Sequence, residues 1–204
     1  MEKRGNNRVK RDLVDIAIDL LEFIDSCYDD PSRVRHALTY YRVYRRYMEL
    51  FLQTGLVVVD GDRYTVTRKG REFIQLLKML KRMIGEEVST TLSEEVVTSL
   101  YPSSEKFEMY TPKKIYIGCF MGKARSIHDI IACILYQTLS PVSKTRAMIR
   151  CGLNVNQFSK YMDILLRNRL INVEESDGKL LLSITSRGLL YLFIYRRIIN
   201  LLRK

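Results

Sequence analysis

The chain has 204 residues, 47% of them hydrophobic, and a formal net charge of +11. That length allows one large or two small domains, and the apolar fraction is that of a chain with a packed core, which excludes a disordered polyelectrolyte. A basic excess in folded units points to an anionic partner, nucleic acid ahead of membrane, and speaks to partners rather than to fold. The excess is uneven: residues 1–84 hold 17 Lys/Arg against 12 Asp/Glu, residues 85–124 hold 4 against 6, and residues 125–204 hold 13 against 5. Cys27, Cys119, Cys133 and Cys151 are scattered, with no CxxC and no paired histidine, so neither a zinc site nor a disulfide framework is indicated. They read as small buried hydrophobes in a reducing compartment, and no cofactor is expected. The N-terminal MEKRGNNRVKR has no apolar centre, and the run Leu189 to Tyr195 stops at Arg196 and Arg197, so neither a signal peptide nor a membrane span is read.

In chain order, residues 1–9 are polar and basic, either a frayed terminus or an arm able to follow a groove. From Arg11 to Ile24, Leu13, Ile16, Ala17, Leu20, Leu21 and Ile24 recur at amphipathic helical spacing. Asp29-Asp30-Pro31-Ser32 breaks the chain and starts a short second helix over about Ser32 to Leu38. A turn near Thr39-Tyr40 leads into a third helix that ends at Gly55, with Tyr44, Tyr47, Met48, Phe51 and Leu52 on its core face. Leu56 to Val59 and Arg63 to Val66 are β-rich, and Asp60-Gly61 between them is a two-residue hairpin signal. Thr67 is placed to cap a fourth helix carrying Phe73, Leu76, Leu77, Leu80 and Ile84, long enough to pack on another helix. The stretch from Gly85 is acidic and rich in Ser and Thr, with a short helix predicted around Glu94 to Leu100 and a strand around Lys114 to Phe120.

The same series then repeats. Ser126 to Leu139 is a first helix, Lys144 to Cys151 a second, and Asn154 with Gln157 a capping box that opens a third. Phe158, Tyr161, Met162, Leu165 and Leu166 form the core face of that helix. Tyr47, Met48, Leu52 and Leu56 match Tyr161, Met162, Leu166 and Leu170 at a constant offset of 114. A hairpin around Asp177-Gly178, four residues longer than the first, and a helix over Gly188 to Lys204 complete the copy. Helix, helix, helix, hairpin, helix, twice, predicts tandem winged helix-turn-helix domains: a mainly α fold with small β-wings, residues 1–85 and 123–204, joined by a connector at 86–122.

At Lys144-Thr145-Arg146, then Leu153, Phe158, Lys160-Tyr161-Met162, Leu165, Leu170-Ile171 and Thr185-Ser186-Arg187-Gly188, the chain resembles an archaeal winged-helix family with the pattern K-T-R-I-M, Leu, K-Y-L-x-x-L, G-L, T-x-x-G. The likeness covers nearly all of residues 125–204 and, more weakly, residues 11–84. It implies a small DNA-binding protein, a transcriptional regulator or chromatin protein, cytoplasmic and nucleoid-associated, with a homodimer through the C-terminal helices as a further expectation. Arg169 stands where the family pattern has Gly, and Pro31-Ser32 replaces the basic-Thr pair in the first copy.

The leading reading is therefore a binder of double-stranded DNA whose two units act as a covalent pseudo-dimer on neighbouring major grooves. The candidate contacts in the first copy are Arg42, Arg45 and Arg46 on the third helix, Arg33 and Arg35 on the second, and Arg63, Arg68 and Lys69 around the wing. In the second they are Lys144, Arg146, Asn154, Asn156, Gln157, Lys160, Lys179 and Arg187. The alternative is a protein-interaction adaptor, since fold alone does not settle function. Exposure of the third-helix faces favours DNA; burial of those faces in the other copy excludes it. Membrane-surface binding by the basic final helix is weaker, because Leu189 to Leu202 also makes a core helix. No nucleophile–base set, carboxylate pair or phosphate loop stands at catalytic spacing, so an enzyme is not expected. His36 reads as at most a phosphate contact and His128 as an ordinary helix residue without an evident partner.

Overall fold

A computed structural model describes residues 12–85, 125–176 and 178–203. The first unit runs α1 (Leu13–Ser26), α2 (Pro31–Tyr40), α3 (Arg42–Gln53), β1 (Val57–Asp60), β2 (Arg63–Val66) and α4 (Arg68–Arg82). The second runs α5 (Ile127–Gln137), β3 (Val142–Ser143), α6 (Lys144–Arg150), α7 (Val155–Arg167), β4 (Ile171–Ser176), β5 (Lys179–Ile184) and α8 (Ser186–Leu201). The tandem helix-hairpin-helix order is thus as expected. The predicted helix at 94–100, the strand at 114–120 and the N-terminal arm lie outside the described residues.

Three details differ from the sequence reading. The first hairpin turns at Gly61-Asp62, one residue on from Asp60-Gly61, because Val57 pairs with Val66 and Asp60 with Arg63; this register puts the two buried valines opposite each other. The second wing gains a third strand, β3 against β5. Its counterpart in the first unit, Tyr28-Asp29, leads through Asp30 straight into α2 at Pro31. Finally, Leu52 and Leu166 are 38% and 41% exposed, and Tyr161 is only half-buried while Tyr47 is 1% exposed with its hydroxyl donating to the Leu13 carbonyl at 3.3 Å. The aromatic pair holds equivalent positions but does not fill equivalent space.

The join between each wing and its last helix has one construction in both units. Thr67 Oγ1 accepts from the Gly70 amide at 3.1 Å and donates to the Gly55 carbonyl at 2.8 Å. Thr185 does the same with Gly188 at 3.0 Å and Arg169 at 2.7 Å. A Cβ on Gly70 would stand 2.2 Å from the Leu56 carbonyl oxygen, and one on Gly188 2.2 Å from that of Leu170. The glycine is therefore required by close approach of helix to backbone. Gly55 ends the α3 segment with φ 71°, and Arg169 follows α7 with φ 53°, the one non-glycine in the left-handed region among the described residues. The arginine thus reproduces the glycine's turn, and both helices end at the matching place. Left-handed backbone costs a side-chain-bearing residue about 1–2 kcal/mol, offset in part by the extra freedom of glycine in the unfolded chain. Arg169→Gly should accordingly raise the unfolding free energy by about 0.5–1 kcal/mol in urea denaturation.

The two units pack through α4 and α8, and their apolar residues form one continuous cluster. α8 keeps only a narrow exposed strip, with Ser186, Arg197 and Asn200: Leu190, Tyr191, Leu192, Ile194, Tyr195, Ile198, Ile199 and Leu201 are all buried, against α4 and α5. At this junction lies a buried polar network. Asp129 Oδ2 accepts from the Ser126 amide at 2.6 Å and Asp129 Oδ1 from the Tyr195 hydroxyl at 2.6 Å. His128, 2% exposed, bonds Tyr191 through Nδ1 at 2.9 Å, and its Nε2 faces the carboxylate of Asp12, the N-cap of α1, at 3.7 Å. His128 is therefore a partnered interface residue, against the expectation of a plain helix position.

Burial pushes the His128 imidazole down from 6.5 to about 4; the Lys81 ammonium adds to the depression and the Asp15 carboxylate opposes it. Between those two values the unfolded chain takes up a proton that the folded one refuses, so this residue's contribution is present above pH 6.5 and is lost as pH falls toward 4. Burial raises the Asp12 carboxyl, which works in the opposite sense on acidification. Stability of the native chain minus that of His128→Gln should shrink by up to about 3 kcal/mol between pH 7 and 4, read by urea melts at each pH.

Candidate nucleic-acid interface

In each unit the third helix buries one side and leaves the other in water. On α3, Tyr47, Met48 and Phe51 face inward, and Arg42, Val43, Arg45, Arg46 and Glu49 outward. No described group pairs with the Arg42 or Arg46 side chain. Arg45 reaches back to the carbonyls of Leu38 and Thr39 at 3.4 Å, covering the end of α2 with part of its guanidinium. Ahead of α3 stands an aromatic group that the sequence reading passed over. Tyr40 and Tyr41 are 69% and 60% exposed, with His36 against Tyr40 at 4.3 Å and Tyr41 against Tyr44 at 5.2 Å. His36 is thus engaged with a ring.

The matching face of α7 is built of amides. Asn154 Oδ1 accepts from the Gln157 amide at 2.8 Å, and Gln157 Oε1 accepts from the Asn154 amide at 3.3 Å. These two candidates are committed to the capping box and set where α7 begins. Asn156 and Lys160 are exposed with no described partner, flanked by Val155 at 69% exposure and Ile149 at 67%. These apolar residues fall outside the core stripe, which was the signal available for finding them. Exposed methyls beside an amide suit a base edge with a thymine methyl; guanidinium groups beside phenol rings suit phosphates and guanine. The two faces are chemically unlike.

The remaining candidates divide. Lys144 and Arg146, at the start of α6, and Lys179 and Arg68, at the wings, are exposed. Arg35 pairs with Asp62 at the first wing's tip at 2.9 Å, Arg33 lies over the Phe23 ring at 5.9 Å, and Arg63 over Tyr28 at 5.6 Å. These three brace α2 and the wing, although water still reaches them. Lys69 and Arg187 are half-buried. The Lys69 ammonium donates to the Thr54 carbonyl at 2.5 Å, closing the end of α3, and Arg187 buries its Nε with no hydrogen-bond partner among the described residues. Both sit in the first turn of a helix whose glycine must lie against the preceding backbone, which turns them toward the protein. Among the described residues no His/Cys/Asp/Glu cluster could hold a metal ion, and no helix is long and apolar enough to cross a membrane.

A family model described as winged helix-turn-helix matches residues 10–85 and again residues 124–203. No curated protein and no solved structure matches the chain. A charged bond of the Lys69 kind is worth about 1.5–3 kcal/mol when buried and less when part-exposed. Lys69→Met should therefore lower stability by about 1–2 kcal/mol in denaturant.

Proposed function

The chain belongs to the winged helix-turn-helix family, and from that premise we propose that it binds double-stranded DNA as a transcriptional regulator or chromatin-associated protein, with its two units acting as a covalent pseudo-dimer. α3 and α7 enter neighbouring major grooves, and α6 and the wings hold phosphates. The observation that carries this reading is the outward face of the third helix, exposed in both units and kept clear of the other unit, with Arg42 and Arg46 on one and Asn156 and Lys160 on the other. The pseudo-dimer is supported by the burial of α8 against α4, which uses within one chain the surface that pairing through C-terminal helices would need. A protein-docking role is the second reading, favoured by the exposed Tyr40 and Tyr41.

Footprinting of the full chain tests the proposal. The expected result is protection of two neighbouring major grooves about 34–36 Å apart, at a site that is not a palindrome because the two helices differ. Asn156→Ala should relax preference at one base position by about 1–3 kcal/mol. Arg42→Ala with Arg46→Ala should weaken binding to all sequences and flatten the salt dependence. Absence of any protected site at low salt, or full affinity in the Arg42, Arg46 and Lys160 alanine variants, would turn the assignment to protein docking.

A further inference from the structure

Two cysteines that are distant in sequence meet inside the second helix-turn-helix. Cys133 lies on α5 and Cys151 caps the C-terminus of α6, 18 residues on, with the two sulfurs 2.7 Å apart. We propose that Cys133 and Cys151 are a redox-active dithiol that hydroperoxides close to a disulfide, stapling α5 to the turn that presents α7. The inference is independent of the DNA reading.

The geometry suits that chemistry. A sulfur–sulfur bond is about 2.0 Å long, so closure needs the sulfurs to approach by well under 1 Å. The Arg125 guanidinium donates to the Cys151 carbonyl at 2.6 Å and lines the same corner beside Gly152. It fixes the turn and places a positive charge beside the pair. The two thiols are also unequal. The bond between the two sulfurs, assisted by Arg125, draws the Cys133 thiol below its ordinary range despite burial, whereas that same bond, with burial, raises the Cys151 thiol. Cys133 is half-buried and Cys151 2% exposed, so the thiol that ionises first is also the one solvent reaches. Cys27 is buried in the other unit.

The steps balance. The Cys133 thiolate attacks one peroxide oxygen, forming an S–O bond as the O–O bond breaks and hydroxide leaves. The sulfur of Cys151 then attacks the Cys133 sulfenic acid, forming the S–S bond, and its proton leaves with the departing hydroxyl as water. In total two thiols are oxidised and one hydroperoxide is reduced. With hydrogen peroxide the products are a disulfide and two waters.

The test uses the full chain, treated with a small excess of hydrogen peroxide, then denatured, alkylated with N-ethylmaleimide and digested with trypsin. Cleavage at Lys144 and Arg150 separates the two cysteines into peptides 126–144 and 151–160. The expected product is those peptides joined, two hydrogens lighter than their sum, with Cys27 and Cys119 alkylated. Dithiothreitol should reverse it. The oxidised chain should melt about 5–15 °C above the reduced one, a shift absent in Cys133→Ser and Cys151→Ser. Alkylation of all four cysteines after peroxide, cross-links spread over other pairs, or Cys133 recovered as sulfinic acid without the cross-link would each overturn the proposal, whether or not the serine variants fold.

Discussion

Everything downstream of the wings depends on one close approach, the seating of a helix's first turn against a backbone carbonyl. At Gly70 and Gly188 no side chain is tolerated, and the threonine three residues earlier ties the helix amide to the carbonyl at the end of the preceding helix. Third helix, wing and fourth helix are thereby held in one corner. Because the corner is the same in both units, α4 and α8 leave their wings in the same way, and their meeting sets how the units, and with them α3 and α7, are placed.

On that shared frame the two units have diverged where the frame does not constrain them. The first lacks a counterpart of β3: Tyr28-Asp29 stands where Val142-Ser143 pairs with β5, and Asp30 and Pro31 follow at once to start α2. The second ends α7 on a left-handed arginine where the first uses glycine. α7 opens with a reciprocal amide cap, while Tyr41 caps α3 without a side-chain bond and its first two turns carry Arg42, Arg45 and Arg46. Divergence is concentrated at the second and third helices and the wing, the elements a helix-turn-helix presents outward. The inward elements, Thr-x-x-Gly and the apolar stripes, are held in common.

This division explains what was legible beforehand. Tyr47 with Met48, the second hairpin, Thr67, Thr185 and the Asn154–Gln157 box are local patterns in which a few neighbouring residues determine their own geometry, and they appear where periodicity and capping put them. Tyr161, Leu166 and His128 were misplaced because their surroundings come from other elements, and the setting of Lys69 is likewise non-local. Lys69 turns in on account of a carbonyl 15 residues earlier, and His128 is buried by a tyrosine 63 residues later. Charge alone marked Lys69 and Arg187 as outward-facing, but the glycine beside each carried the contrary information. Cys133 and Cys151 have no spacing signature, since helices rather than a motif bring them together.

The packing of α4 on α8 changes the meaning of two linked readers. Were the units joined only by a flexible tether, the second docking step would gain from a high local concentration that falls off gradually with distance, and half-site spacing would be loosely defined. A continuous apolar cluster with a satisfied buried network of Ser126, His128, Asp129, Tyr191 and Tyr195 gives a stiffer coupling. In the DNA reading, spacing and orientation of the half-sites are then set by the same contacts that stabilise the fold. A substitution that loosened the α4–α8 contact would broaden the spacing the chain accepts without touching a residue that faces DNA. Specificity in such a protein resides as much in its core as in its reading helices.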